Sequence, residues 1–198
     1  MEHKTEKYEK LLSSVRQQFA SVVWTHKIQE KQAEIYANNY NWCEFANILS
    51  ASLTSCGIIG CFFREGMPLK IATAILSFIT IFCASYIKSF DFKQQSADNK
   101  RAANELVVIR NEMLQVITDL HMMERDIQDI EGDVKTITQR LNKLYVEAPA
   151  TTNKAVDAAK KALLVKKDYT FNDEEIDRFL PPKLRGGIKD GTEDEPEV

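Results

Sequence analysis

At 198 residues the chain suits one domain, or one domain with tails, and its seven Gly and five Pro favour long helices over a strand-rich fold. Net charge is only −3 and no basic stripe interleaved with aromatic residues occurs, so direct nucleic-acid binding is not expected. The 28% of charged residues is unevenly spread: no Asp, Glu, Lys or Arg lies between 46 and 63 or between 71 and 87.

The first expected element is a cytosolic helix over residues 5–41. Tyr8, Leu12, Val15, Phe19, Val22, His26, Ala33, Tyr36 and Tyr40 recur at alternating spacings of three and four, with a lapse at Gln29. His26 stands on that face as a packed or interfacial residue, since neither His3 nor His121 lies at metal-ligand spacing from it. The start of the chain, Met-Glu-His-Lys-Thr-Glu-Lys, does not read as a signal peptide. Asn38-Asn39-Tyr40-Asn41-Trp42 is expected to kink or break the helix where it meets the next element.

That element, residues 42–87, reads as a two-helix transmembrane hairpin. Its arms, 46–63 and 71–87, are each near the minimum needed to cross a hydrocarbon core of roughly 30 Å at about 1.5 Å rise per residue. Gly66 and Pro68 supply the turn between them. Lys27, Lys31, Lys88, Lys93, Lys100 and Arg101 outweigh Arg64 and Lys70, which places both termini in the cytosol and the tip outside. Trp42 and Tyr86 fit the interface. The four cysteines, Cys43, Cys56, Cys61 and Cys83, all fall in or beside the arms, where cysteine acts as a small hydrophobe.

The arms are not uniformly apolar. Glu44, Asn47, Ser50, Thr54, Gly57 and Cys61 share one face of the first arm; Thr73, Ser77, Thr80 and Ala84 share one face of the second. Two readings stand: small and hydroxyl-bearing residues pack helix against helix, or several hairpins assemble and turn a stripe inward to line a pore, with Glu44 at its cytosolic mouth. Because a single hairpin cannot enclose water, the second reading requires a homo-oligomer. Candidate pore-lining or packing residues are Glu44, Asn47, Ser50, Thr54, Gly57, Thr73, Ser77 and Thr80.

After an interfacial joint at Ser89-Phe90-Asp91-Phe92-Lys93, residues 92–146 are expected to form one long cytosolic stalk helix. Its seam, Leu106, Ile109, Met113, Val116, Leu120, Met123, Ile127, Ile130, Val134, Ile137, Leu141 and Leu144, would extend about 58 Å from the membrane. Gly132 falls outside the seam. A parallel self-paired dimer would set Asp119 against Glu124 and Asp126 against Glu131, which repel, so the N-terminal helix, running antiparallel, is the better partner. Residues 147–188 hold short helices, one over Lys154 to Lys167 with Val156, Ala159, Leu163 and Leu164 as its apolar face. Another, from Asp173 to Leu180, opens on the capping pattern Asn172-Asp-Glu-Glu175 and is halted by Pro181-Pro182. Residues 189–198 form an acidic tail expected to be disordered. The fold class is therefore an all-α membrane protein, a two-helix transmembrane hairpin flanked by long cytosolic helices forming an antiparallel coiled-coil-like rod.

No catalytic, cofactor-binding or metal-ligating constellation emerges: phosphate-loop, nucleophile-elbow and H-E-x-x-H patterns are all missing, and the acids of 124–133 read as a solvated helix face. The expected protein is no enzyme and carries no cofactor.

The order of these parts, with the C-terminal run Tyr169-Thr-Phe-Asn-Asp-Glu-Glu-Ile-Asp-Arg-Phe-Leu-Pro-Pro-Lys-Leu-Arg185, resembles the SLATT family, small two-transmembrane effectors of bacterial conflict systems, over residues 8 to 186. The resemblance implies a pore-forming or membrane-disrupting effector of the bacterial inner membrane. Its implied trigger is a nucleotide-generating, nucleotide-sensing or reverse-transcriptase partner, which releases it to kill an infected cell. The competing reading is a membrane-anchored scaffold whose stalk recruits a cytosolic partner and whose hairpin is only an anchor.

Overall fold

The computed structural model describes residues 2–63, 66–170 and 172–179, and these divide into two units, Met1–Lys160 and Lys161–Val198. The first unit begins with α1, Glu2–Phe63, a single helix of 62 residues. Asn38 to Trp42 do not break it. Asparagine costs only a few tenths of a kcal/mol in a helix. The expected N-terminal helix and the first membrane arm are therefore one continuous element.

After the turn, α2 runs Met67–Phe90, with Gly66 at its N-cap and Pro68 in its first turn, where a missing N–H costs nothing. Both α1 and α2 contain segments long and apolar enough to cross a membrane. Almost none of that apolar surface is covered within the chain: Trp42, Phe63 and Phe78 are 73%, 87% and 69% exposed, and α2 has no buried residue at all. In a water-soluble bundle such a surface would be a large liability; around a bilayer-spanning hairpin it is the lipid-facing side.

Asp91, at φ 43° and ψ 47°, ends α2 and at once caps α3, Phe92–Met122, its carboxylate accepting from the Gln94 backbone N–H at 3.3 Å. Helix α3 lies along α1, the antiparallel partnership expected from the charge pattern. The long stalk, however, is not one helix. Met123 takes a left-handed conformation (φ 55°), and α4, Ile127–Glu147, starts anew with Asp126 as its cap, accepting from Gln128 N–H at 2.8 Å. The seam is folded in two. Leu106, Ile109, Met113, Val116 and Leu120 on α3 and Ile130, Ile137, Leu141 and Leu144 on α4 bury into one core with Tyr8, Val15 and Val22 of α1, whereas Met123, at the fold, is 44% exposed.

Turning back buries the second half of the seam against the same core as the first. At the corner the Tyr8 hydroxyl donates to the Arg125 carbonyl at 2.7 Å. Arg125 then staples the corner, binding Asp119 of α3 at 2.6 Å and Asp133 of α4 at 2.9 Å. Replacing Tyr8 by Phe removes the corner hydrogen bond and keeps the ring in the core. We expect it to lower stability by about 1 kcal/mol, measurable by urea denaturation of the detergent-solubilised chain.

Helix α5, Asn153–Lys160, packs on α1 through Ala155 and Ala159, both fully buried. Alanines, more than the expected Val156 and leucines, make that contact, because a methyl side chain lets two helices approach closely. In the second unit, residues 161–165 form a π-helical turn, Lys161–Val165, and α6 spans Asp173–Phe179. The capping box is present: Glu175 N–H donates to Asn172 Oδ1 at 2.8 Å, and Asn172 N–H donates to Glu175 Oε2 at 3.0 Å. Leu180, Pro181-Pro182 and the acidic tail lie outside the described residues.

Candidate functional site

Two features set this molecule apart from a plain helical bundle, namely the polar stripes of the hairpin and a polar layer where the bundle approaches the membrane. In the hairpin the stripes meet. The arms come close at Gly57: a Cβ placed there would run into Thr73 Oγ1 and lie 3.3 Å from the Thr73 Cβ, so glycine suits this approach. The next glycine, Gly60, faces Leu69. Ser50 is buried, and Asn47, Thr54, Gly57, Thr73, Ser77 and Thr80 are half-buried, while their neighbours on other faces are exposed. Small side chains at helical spacing let two backbones come together without a water-driven hydrophobic effect.

The hydroxyls do not tie the arms to each other. Thr54 donates to the Ser50 carbonyl at 2.8 Å, Thr73 to Leu69 at 2.9 Å and Thr80 to Leu76 at 2.9 Å, each within its own helix. Among the described residues no hydrogen bond joins α1 to α2. The Asn47 side-chain oxygen is buried with no partner, a condition that costs about 1–3 kcal/mol. Glu44 accepts from the Tyr40 hydroxyl at 2.9 Å, one turn before the membrane arm.

Beside this contact runs an open groove of about 410 Å³, lined by Thr54, Ile58, Cys61, Lys70, Thr73, Ala74 and Ser77. Thr54, Thr73 and Ser77 are among its lining residues, and Lys70, exposed and with no ion pair among the described residues, stands at its tip end. Of the residues singled out from sequence, the groove brings Thr54, Thr73 and Ser77 together. Ser50 belongs to the helix contact, and Glu44 lies beyond the groove's lining.

The joint between hairpin and bundle is aromatic. Phe92, buried, has the Tyr86 ring 5.5 Å away, Phe90 5.6 Å away and Tyr36 6.1 Å away, centroid to centroid. Next inward is the polar layer. Gln29 donates to the Pro149 carbonyl at 3.0 Å, Gln32 accepts from Thr152 N–H and hydroxyl at 2.8 Å, and Ser96 donates to the Ala33 carbonyl at 2.9 Å. His26 and Lys27 are buried beside them, with Lys27 paired to Glu30 at 2.9 Å. Burial holds the His26 imidazole down to about 4 from its usual 6.5; Glu30 opposes the shift and Arg110, Lys27 and Lys100 add to it. The lapse at Gln29 in the sequence pattern is thus no lapse. The core face continues through it as an amide that clasps the α4–α5 connection.

The sequence family described as the SMODS and SLOG-associating 2TM effector domain family 4 matches the chain over residues 11–175. The chain belongs to this SLATT family. Its match opens in the first turns of α1, spans the hairpin, the folded seam and the polar clasp, and closes on Glu175 of the α6 capping box. The SLATT domain is thus the whole helical assembly and not the hairpin alone. Neither the curated proteins nor the solved structures show a significant match to the chain. Among the described residues no group of His, Cys, Asp and Glu could hold a metal ion.

Proposed function

We propose that this SLATT chain is a pore-forming or membrane-disrupting effector of a bacterial defence system of the abortive-infection kind. It sits in the inner membrane with both termini cytosolic and oligomerises through its hairpin. The trigger is a cytosolic partner that makes or senses a nucleotide, or a reverse transcriptase, in keeping with the family's description as associating with SMODS and SLOG proteins. The single observation that carries this reading is the groove between the membrane arms. An anchor needs only a lipid-facing surface, whereas here two threonines, a serine and a lysine gather along one flank. Copies arranged about an axis with that flank inward would enclose a polar path with apolar side chains left outside.

Replacing Thr54 and Thr73 by Val and Ser77 by Ala removes the hydroxyls while nearly keeping volume, and the two threonine hydroxyls bond only their own helix. Insertion and bundle stability should survive, while leakage, followed as loss of membrane potential on induction with the neighbouring genes, should fall by roughly tenfold or more. Unchanged leakage would remove the groove from the pathway. The contact at Gly57 and Thr73 within one hairpin also suits a simple anchor. Exchanging the hairpin for an unrelated two-helix anchor separates the two readings, since a scaffold keeps its activity and a pore loses it.

A further inference from the structure

The two membrane arms are built into the bundle in opposite ways. Helix α1 passes from the core into the hairpin without interruption. The second arm reaches the bundle through one residue, Asp91, in a left-handed conformation that side chains other than glycine rarely take and that aspartate tolerates better than most. Below that residue α3 is fixed by the Ser96 bond to Ala33 and by its buried seam. Above it α2 has no buried residue and, among the described residues, no hydrogen bond to α1. It packs along α1 with a close approach at Gly57, and its Tyr86 and Phe90 rings meet Phe92. On α1 the Asn47 side-chain oxygen is buried without a partner.

We propose that the hairpin seen here is a closed form and that α2 is the moving arm, pivoting at Asp91 away from an α1 that stays in line with the bundle. No cross-helix hydrogen bond has to break. The departure uncovers the stripe of Ser50, Thr54 and Gly57 and gives the Asn47 amide access to a partner on another copy or to water. Assembly of hairpins into a pore then begins from the opened form. The pivot rests on the pore reading for its purpose and on the geometry alone for its existence.

An ideal Cβ on Gly57 lies 3.3 Å from that of Thr73, close to the roughly 3.5–4.5 Å of a disulfide. In a chain whose four native cysteines are replaced by serine or alanine, the Gly57→Cys/Thr73→Cys pair should join on mild oxidation in uninduced membranes, scored by protection of both thiols from a maleimide polymer. Joined chains, expressed with the neighbouring genes, should depolarise cells at least roughly tenfold more slowly than the same chains reduced, and reductant should restore the leak. The Gly57→Cys single variant controls for crowding. A second readout does not depend on leakage: when oxidation follows activation, the yield of joined chains should drop. Joined chains that leak as fast as reduced ones, a pair that never joins at rest, or a yield unaffected by activation would each overturn the pivot. Cells that stay polarised although the yield falls would overturn the pore and leave the pivot standing.

Discussion

Reversing the charge of Lys70 should reverse the ion preference of the assembly. Among the described residues Lys70 is the one charged residue lining the groove, at its tip end beside Thr73 and Ser77, and it has no ion pair with any of them. Repeated around an oligomer it becomes a ring of ammonium groups at one mouth of a narrow, low-dielectric path, where a charge acts far more strongly than in water. The wild-type assembly is therefore expected to favour anions. Lys70→Glu alters each copy by two charges and should shift the chloride-to-potassium permeability ratio by about tenfold or more, equivalent to about 1.4 kcal/mol. The measurement is a reversal potential under a salt gradient in a planar bilayer. Removing a cation from the tip does not oppose the proposed orientation, so insertion should be unaffected. An unchanged reversal potential in a conducting variant would place the ion path elsewhere.

The second large effect is on stability. His26 is neutral in the folded chain, with its imidazole held at about 4, whereas in the unfolded chain it takes up a proton at about 6.5. Its contribution is fully present above the unfolded value and is lost as pH falls towards the folded one. Linkage between these values puts the loss at about 2 kcal/mol by pH 5. Urea denaturation of the detergent-solubilised chain at pH 7 and pH 5 should show that loss in the wild type and not in His26→Gln, with the variant subtracting the carboxylates common to both. Equal losses would mean that the imidazole is not desolvated on folding. The neighbours that decide the sign are Glu30, Arg110, Lys27 and Lys100, and burial outweighs them.

The hairpin was legible because its signal is one of length: two uncharged runs separated by a turn have few other interpretations. The antiparallel pairing of α1 with α3 was also legible, through the repulsion of Asp119 and Glu124 in any parallel dimer. The fold of the seam at Met123 was not, since periodicity records which face is apolar and not where the helix turns back. Only Asp126, followed by Gln128 and Asp129, hints in the sequence at a new helix start. The Gln29 and Gln32 clasp was hidden for a similar reason, as a buried amide looks like a gap in an apolar pattern. Stripes at helical spacing left open which residues pack and which face outward. In the structure Ser50 is buried, Gly57 meets Thr73, and Thr54, Thr73 and Ser77 line the groove.

The clasp also sets an order of assembly. Gln29 and Gln32 bond to Pro149 and Thr152, partners 120 residues further along the chain. The hairpin, by contrast, is complete once Phe90 has been made. At roughly 5–20 residues per second, several seconds of synthesis separate the two events. Both membrane arms are therefore made before the residues that close the clasp over α1, and every new copy passes through a stage in which its hairpin sequence is complete and its clasp is not.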